Sequence, residues 1–330
     1  MKPRPGILLK SASYTSGLAV VLMALGLLPP VTAAAGTTLA WQRDAGSIRL
    51  VGDQQVIWQF NFGANAAKPF FHPVALPNGP VLTGNQPADH PWHHGLWFSW
   101  KFINGVNYWE EDKKTGLADG RTSWREPRIE LRPDYSARIE MNLDYHPATN
   151  AGVVLTELRV VEISPPDAEG VYRQDWSMTF SAGREAVRLE RTPLPGEPGG
   201  QSWGGYAGLS IRFAEDINEV EALTPAGPVP FNDGIYRGRA AALDYTGSFR
   251  GRPAGVAILD SASNLNSPSP WYAINGNPLH YFSPAVLCFQ PHTLPAGGQL
   301  SLRYRLIVHP GRWTVERLRE ASERYQTAQP

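Results

Sequence analysis

Apolar and polar residues alternate one by one along much of this chain, and Gly or Pro repeatedly interrupts the alternation. A period of two suits an extended strand with one buried face. It does not suit an amphipathic helix, whose apolar stripe needs a period near 3.6. With 32 Gly and 30 Pro among 330 residues, long helices are disfavoured almost everywhere. Strands are predicted at 55–62, 96–102, 128–131, 137–145, 153–163, 174–181, 186–191, 206–213, 255–259 and 299–308. The clearest hairpin joins 128–131 to 137–145 through a turn with Pro near its start, and in it Ile139, Met141 and Leu143 alternate with Arg138, Glu140 and Asn142. One helix is expected, from 315 to about 325, with Thr314 as its N-cap and Glu316 in its first turn. Closely spaced strands without intervening helices imply antiparallel sheets packed on each other. The expected fold is all-β, a large antiparallel β-sandwich with a short C-terminal helix.

The first 35 residues read as an address. Lys2, Arg4 and Lys10 precede an apolar run at 17–28, Pro29-Pro30 ends it, and Ala33-Ala-Ala35 offers the small residues of a cleavage site. The run is too short for a bilayer span, which needs about 20 residues. Residues 1–35 are therefore expected to be a cleaved signal peptide and 36–330 a single domain, periplasmic or extracellular, with no membrane insertion after cleavage. The Pro/Gly-rich stretch 193–205 reads as a long loop, because strand pattern resumes at once at Tyr206. The 30 basic and 30 acidic residues balance, so nothing marks a nucleic-acid or membrane-surface binder. A lone cysteine, Cys288, excludes an intramolecular disulfide and any Cys-rich metal site. No P-loop, dinucleotide fingerprint or nucleophile elbow occurs, and no cofactor is expected.

Chemistry concentrates between Asp89 and Glu110, which holds His90, His93 and His94 together with Trp92, Trp97, Trp100 and Trp109. On a regular strand His93 and Trp97 would share one face and His94 and Trp100 the other, unless Gly95 marks a bulge. The histidines could move protons with Glu110 or another carboxylate as partner. They could bind a metal with Asp89, or they could simply hydrogen-bond loops and strand ends. Clustering with tryptophans favours a site, since clefts combine apolar walls with a few placed polar groups. Glu157 and Arg159 lie two apart on an apolar strand face, as a buried structural pair or a site pair. Arg212 shares a face with the small residues Gly208 and Ser210, and His280 follows a turn-rich loop.

The runs Phe70-Phe-His-Pro73, Asp89-His-Pro-Trp-His-His-Gly-Leu-Trp-Phe-Ser-Trp100 and Asn104-Gly-Val-Asn-Tyr-Trp109 resemble a secreted bacterial family carrying the label "methane oxygenase PmoA-like" and otherwise of unknown function. Gly205–Arg212, Ala254–Asp260 with Asn264, and Leu294–Arg305 extend the resemblance over most of the chain, with Trp92 standing where the family would be expected to carry His. It implies an exported protein, of a group often found beside sugar-degrading enzymes. It does not imply a true methane monooxygenase, which needs membrane helices. The pattern is more weakly similar to the galactose-mutarotase-like supersandwich, a fold that binds sugars in a cleft.

These readings combine into one expectation, a carbohydrate or glycoside handled by acid–base chemistry in a Trp-lined cleft. A small molecule or oligosaccharide would be the substrate. His90, His93, His94 and Glu157 are the catalytic candidates. Trp97, Trp100, Glu110, Arg159, Arg212 and His280 are the substrate-binding ones. A non-catalytic sugar binder and a metal enzyme using Asp89, His90, His93 and His94 are the alternatives. Glu157, Arg159, Arg212 and at least one of the three histidines are predicted to line a single pocket.

Overall fold

In a computed structural model, which describes residues 38–328, the alternating stretches become the edges and interiors of two large sheets. The expected signal peptide, 1–35, lies outside the described residues. The first sheet has nine strands. In spatial order it runs Leu39–Asp44, Ser47–Gly52, Gln55–Asn61, Phe70–Val74, Leu96–Ser99, Gly208–Arg212, His280–Pro284, Pro270–Asn275 and Ile235–Arg239. The second has ten, with Gln299–Pro310, Tyr172–Ala182, Leu155–Ile163 and Ala137–His146 side by side at its centre. A small third sheet contains Val187–Glu190 and Phe102–Ile103. Every strand pairing among the described residues is antiparallel, so this is an all-β sandwich.

The predicted hairpin forms, with Ala137 opposite Leu131 and Glu140 opposite Arg128. Burial then follows the period of two: Ile139, Met141 and Leu143 point inward with Leu155, Val161, Leu302, Tyr304 and Leu306. The inner faces of the two sheets meet through aromatic contacts, with Phe71 5.6 Å from Trp176 and Phe98 5.3 Å from Phe180. Each pair stabilises by roughly 0.5–1.5 kcal/mol beyond its buried area. The C-terminal helix, Val315–Thr327, begins where its cap predicts, with Thr314 Oγ1 accepting from the amide of Arg317 at 3.2 Å. It covers Ala257 and Leu259 with Leu318 and Tyr325. No helix among the described residues is long and apolar enough to cross a membrane.

The nine-stranded sheet is apolar on both faces. Leu209, Ile211, Phe98 and Phe282 face the sandwich interior. Trp97 and Tyr281, next to Phe98 and Phe282 in the chain, face outward and with Tyr272 form a separate aromatic cluster with Trp109. Three connections cover that outer layer: the turns around His90, the segment 107–111 and the long loop 193–205.

Candidate functional site

Two successive turns carry the first connection over the sheet, closed by His90 N–H to Pro87 O at 3.1 Å and His93 N–H to His90 O at 3.0 Å. The second turn stacks the His90 ring on His93, with centroids 4.7 Å apart and planes 21° apart. Gly95 then ends the alternation. Its φ is +75°, and a Cβ there would lie 2.5 Å from the carbonyl oxygen of Phe71, so only glycine fits. Because of this break His93 and His94 both lie on the outer side. His93 sits 5.1 Å from Trp97, and His94 sits 4.8 Å from Phe70.

A pocket of about 190 Å³ opens above the outer layer. Tyr272, Tyr281 and Ile274 rise from the sheet, His90, Trp92 and His93 form one wall, and Trp109 with Glu110 another. Tyr206 and Trp203 close it from the long loop, which is thus a wall of the site. This volume is below the roughly 300–1,000 Å³ of sites for drug-sized ligands and suits a single ring.

Three carboxylates are fixed around this bowl, each by a cation. Arg212, fully buried, donates through Nη1 and Nη2 to the two oxygens of Asp89, both at 3.0 Å. Asp89 in turn accepts from His90 Nδ1 at 2.9 Å. Burial alone would raise the Asp89 carboxyl pKa, but the hydrogen bonds from Arg212 and His90 hold it below the usual range. An ionised Asp89 can only accept, so His90 carries its proton on Nδ1 when neutral and leaves Nε2 as an acceptor.

Glu110 is the pocket carboxylate. Asn107 Oδ1 accepts from the amides of Trp109 at 2.9 Å and Glu110 at 3.3 Å, which sets the turn that aims both residues at the cavity. Lys101 Nζ bonds Glu110 Oε2, and Tyr206 OH donates to Oε1 at 2.8 Å. Burial pushes its pKa up, but the Lys101 charge and these two donors bring it below the ordinary glutamate value. The next residue, Glu111, turns away from the pocket, to Lys68 at 2.9 Å and His94 Nε2 at 2.8 Å. Lys68 also donates to the carbonyl of Trp109 at 2.8 Å, so this buried trio supports the pocket wall from behind.

His93 is neutral at ordinary pH. Burial depresses its pKa well below 6.5, and the nearby charges of His90, Arg212 and Lys68 act in the same direction. Its Nδ1 is buried without a partner. Burial likewise lowers His94, against the opposing pull of Glu111.

Several sequence-based assignments need correction. Glu157 and Arg159 do not belong to this pocket. They pair through Arg159 Nε and Glu157 Oε1 at 2.6 Å, are 2% and 1% exposed, and face the sandwich interior. The Arg159 guanidinium lies 5.7 Å from the Phe98 ring and 5.8 Å from Trp176, and Tyr145 OH donates to Glu157 at 2.5 Å. The strand Leu96–Ser99 stands between: Phe98 meets Arg159 on one side while Trp97 underlies the pocket on the other. Arg212 does lie on the pocket side, but it acts behind Asp89 instead of lining the cavity. Trp97 is likewise floor support, whereas Trp100 packs in the sandwich core 5.0 Å from Phe180. His280 starts a strand facing the interior, with Nδ1 3.1 Å from Tyr245 OH, and is not a rim residue. The four-residue metal set does not converge, because Asp89 is engaged by Arg212, His94 by Glu111, and the His90 and His93 rings are stacked on each other. No group of three or more potential ligands among the described residues is arranged to hold a metal ion.

Sequence reading missed Trp203, Tyr206, Tyr272 and Tyr281 as pocket residues and Lys101 as the partner of Glu110. Trp203 did carry a signal: it is a large aromatic isolated in a Pro/Gly-rich loop, where no core packing requires it.

The described residues thus form an all-β sandwich with an aromatic bowl on the outer face of one sheet and fixed carboxylates around it. The chain is a member of a family of unknown function, DUF6807, whose model matches residues 47–323. No curated protein matches the sequence.

Proposed function

We propose that the pocket takes one sugar ring and that the Asp89–His90 pair and Glu110 move protons on it. The observation that carries this reading is the pairing of an aromatic bowl with an oriented imidazole and an ionised carboxylate in the same cavity. Sugar rings present apolar faces that stack on Trp and Tyr and hydroxyl rims that need placed polar groups. The resemblance of the histidine segment to the exported PmoA-like group, and the weaker one to the mutarotase-like supersandwich, support the same substrate class.

The electrostatics favour one kind of chemistry. Two-carboxylate glycoside hydrolysis needs a carboxylic acid whose pKa is raised so that it can donate. Asp89, Glu110 and Glu111 are all held below their ordinary values. His90 is then the proton donor and acceptor, with Asp89 stabilising the imidazolium, and Glu110 is the opposing base. Ring-proton or ring-hydroxyl transfer, as in an epimerase, anomer-interconverting enzyme or lyase, suits that set better than hydrolysis.

Titration of neutral aldoses and uronates, followed by tryptophan fluorescence, is the first test. Anomer exchange and solvent-deuterium uptake are then followed by NMR. A bound sugar should show proton transfer that falls at least 100-fold in His90→Ala and Glu110→Gln. Full turnover in both folded variants would sink the assignment. Binding without turnover would make the protein a sugar binder using the same bowl.

A further inference from the structure

Trp203 stands at the pocket rim with 53% of its surface exposed, the most exposed of the large apolar side chains among the described residues. Exposure of a single apolar side chain is common and by itself means little. Here, however, the backbone on both sides of the exposed ring is clamped. Arg237, on the edge strand Ile235–Arg239, donates through Nε to Gly204 O at 2.9 Å and through Nη2 to Ser202 O at 2.6 Å. The same guanidinium lies 5.1 Å from the ring centre of Tyr272, a pocket wall. Further back in the loop Glu197 accepts from the amide of Leu194 at 2.7 Å and from Arg191 at 2.6 Å, and Gln201 N–H donates to Pro193 O at 3.1 Å. A long loop is therefore tied down at several points: its Leu194 packs inward, and its one aromatic side chain, Trp203, is left facing solvent beside the cavity.

We infer that Trp203 is the stacking platform of a second subsite, for the second ring of a disaccharide whose first ring fills the pocket. The inference rests on the sugar reading above. The cavity accommodates one ring only, so a second ring must lie outside it, against the rim. Of the rim's side chains, Trp203 offers the broad, exposed apolar face that such a ring needs. Fixing it beforehand removes part of the ordering cost of binding. Arg237 is the positioning residue, acting through the carbonyls of Ser202 and Gly204.

The test compares glucose, galactose and their methyl glycosides with lactose, cellobiose and maltose by calorimetry on the full chain. The wild-type protein should bind at least one disaccharide roughly tenfold more tightly than its matching monosaccharide, as expected for one added stacked ring. In Trp203→Ala that ratio should fall to about one, while Trp203→Phe should keep most of it. Arg237→Lys, which cannot bridge two carbonyls in a fixed fork, should lower the ratio by an intermediate amount. Equal wild-type affinities for both sizes, or an unchanged ratio in Trp203→Ala, would overturn the second subsite and leave the one-ring reading standing. If neither size binds, both fail together.

Discussion

Replacing Arg159 by Met leaves Glu157 buried between the sheets with Tyr145 as its remaining hydrogen-bond partner. Both charges lie within a few per cent of complete burial, and the guanidinium is packed between Phe98 and Trp176. Removing one member of such a pair costs about 3–5 kcal/mol, chiefly because an uncompensated charge stays in the low-dielectric interior. For a domain of this size that is an apparent Tm loss on the order of 10 °C. Removing all the polar partners should behave differently. The triple variant Tyr145→Phe, Glu157→Leu, Arg159→Met keeps the volume and leaves no group unsatisfied, so its stability should lie within about 2 kcal/mol of wild type. Thermal and urea unfolding measure both effects, and sugar affinity measured on the triple variant should be unchanged. A single Arg159→Met change costing under about 1 kcal/mol would refute the burial argument. A well-folded triple variant that no longer binds would return the pair to the site.

Gly95→Ala should lower stability by roughly 1–3 kcal/mol and weaken pocket binding, because φ is +75° and the new Cβ meets the Phe71 carbonyl; urea unfolding with a parallel binding titration checks it, and wild-type values in both would contradict the tight turn. Acid should destabilise the fold early. His72, His93, His94 and His280 all have folded-state pKa values lowered mainly by burial, His72 to about 4. Below about 6.5 the unfolded chain takes up the protons that these rings resist, so stability is full above that pH and falls as pH drops toward the folded values. The urea midpoint should decline steadily from pH 7 to 4.5, and a flat profile would show that the rings are not buried neutral.

Strands with one wet face are the easiest to read in advance, although the fully buried Leu96–Ser99 and Gly208–Arg212 are also predicted. In Ala137–His146 and Gln299–Pro310 burial alternates along the strand, and so does the sequence. Ser47–Gly52, Ala242–Phe249 and His280–Pro284 escaped because most or all of their residues are buried on both sides, which erases the alternation. The site shows the same limit. Period two places Glu157 with Arg159 and Ser210 with Arg212, each pair on one face of its strand. It does not say which face looks into the sandwich and which looks into a pocket, and the two arginines ended on opposite sides of one sheet. His90 and Asp89 were conspicuous as neighbours in sequence. The partner that holds Asp89 in place, Arg212, lies 123 residues away and is brought in only by strand pairing.

A side chain mounted on a loop ordinarily shares that loop's wandering. His90 does not depend on its loop alone, because Asp89 grips it on one side and is itself held at two points by a guanidinium rooted in a central strand. The imidazole thus takes its coordinates from the sheet, while the surrounding turn supplies Trp92 and the neighbouring backbone. Variation in that turn can reshape what the cavity admits without displacing the group that would act on it. Under the proposed function, the side chains that shape the cavity and the contacts that place His90 belong to separate parts of the chain.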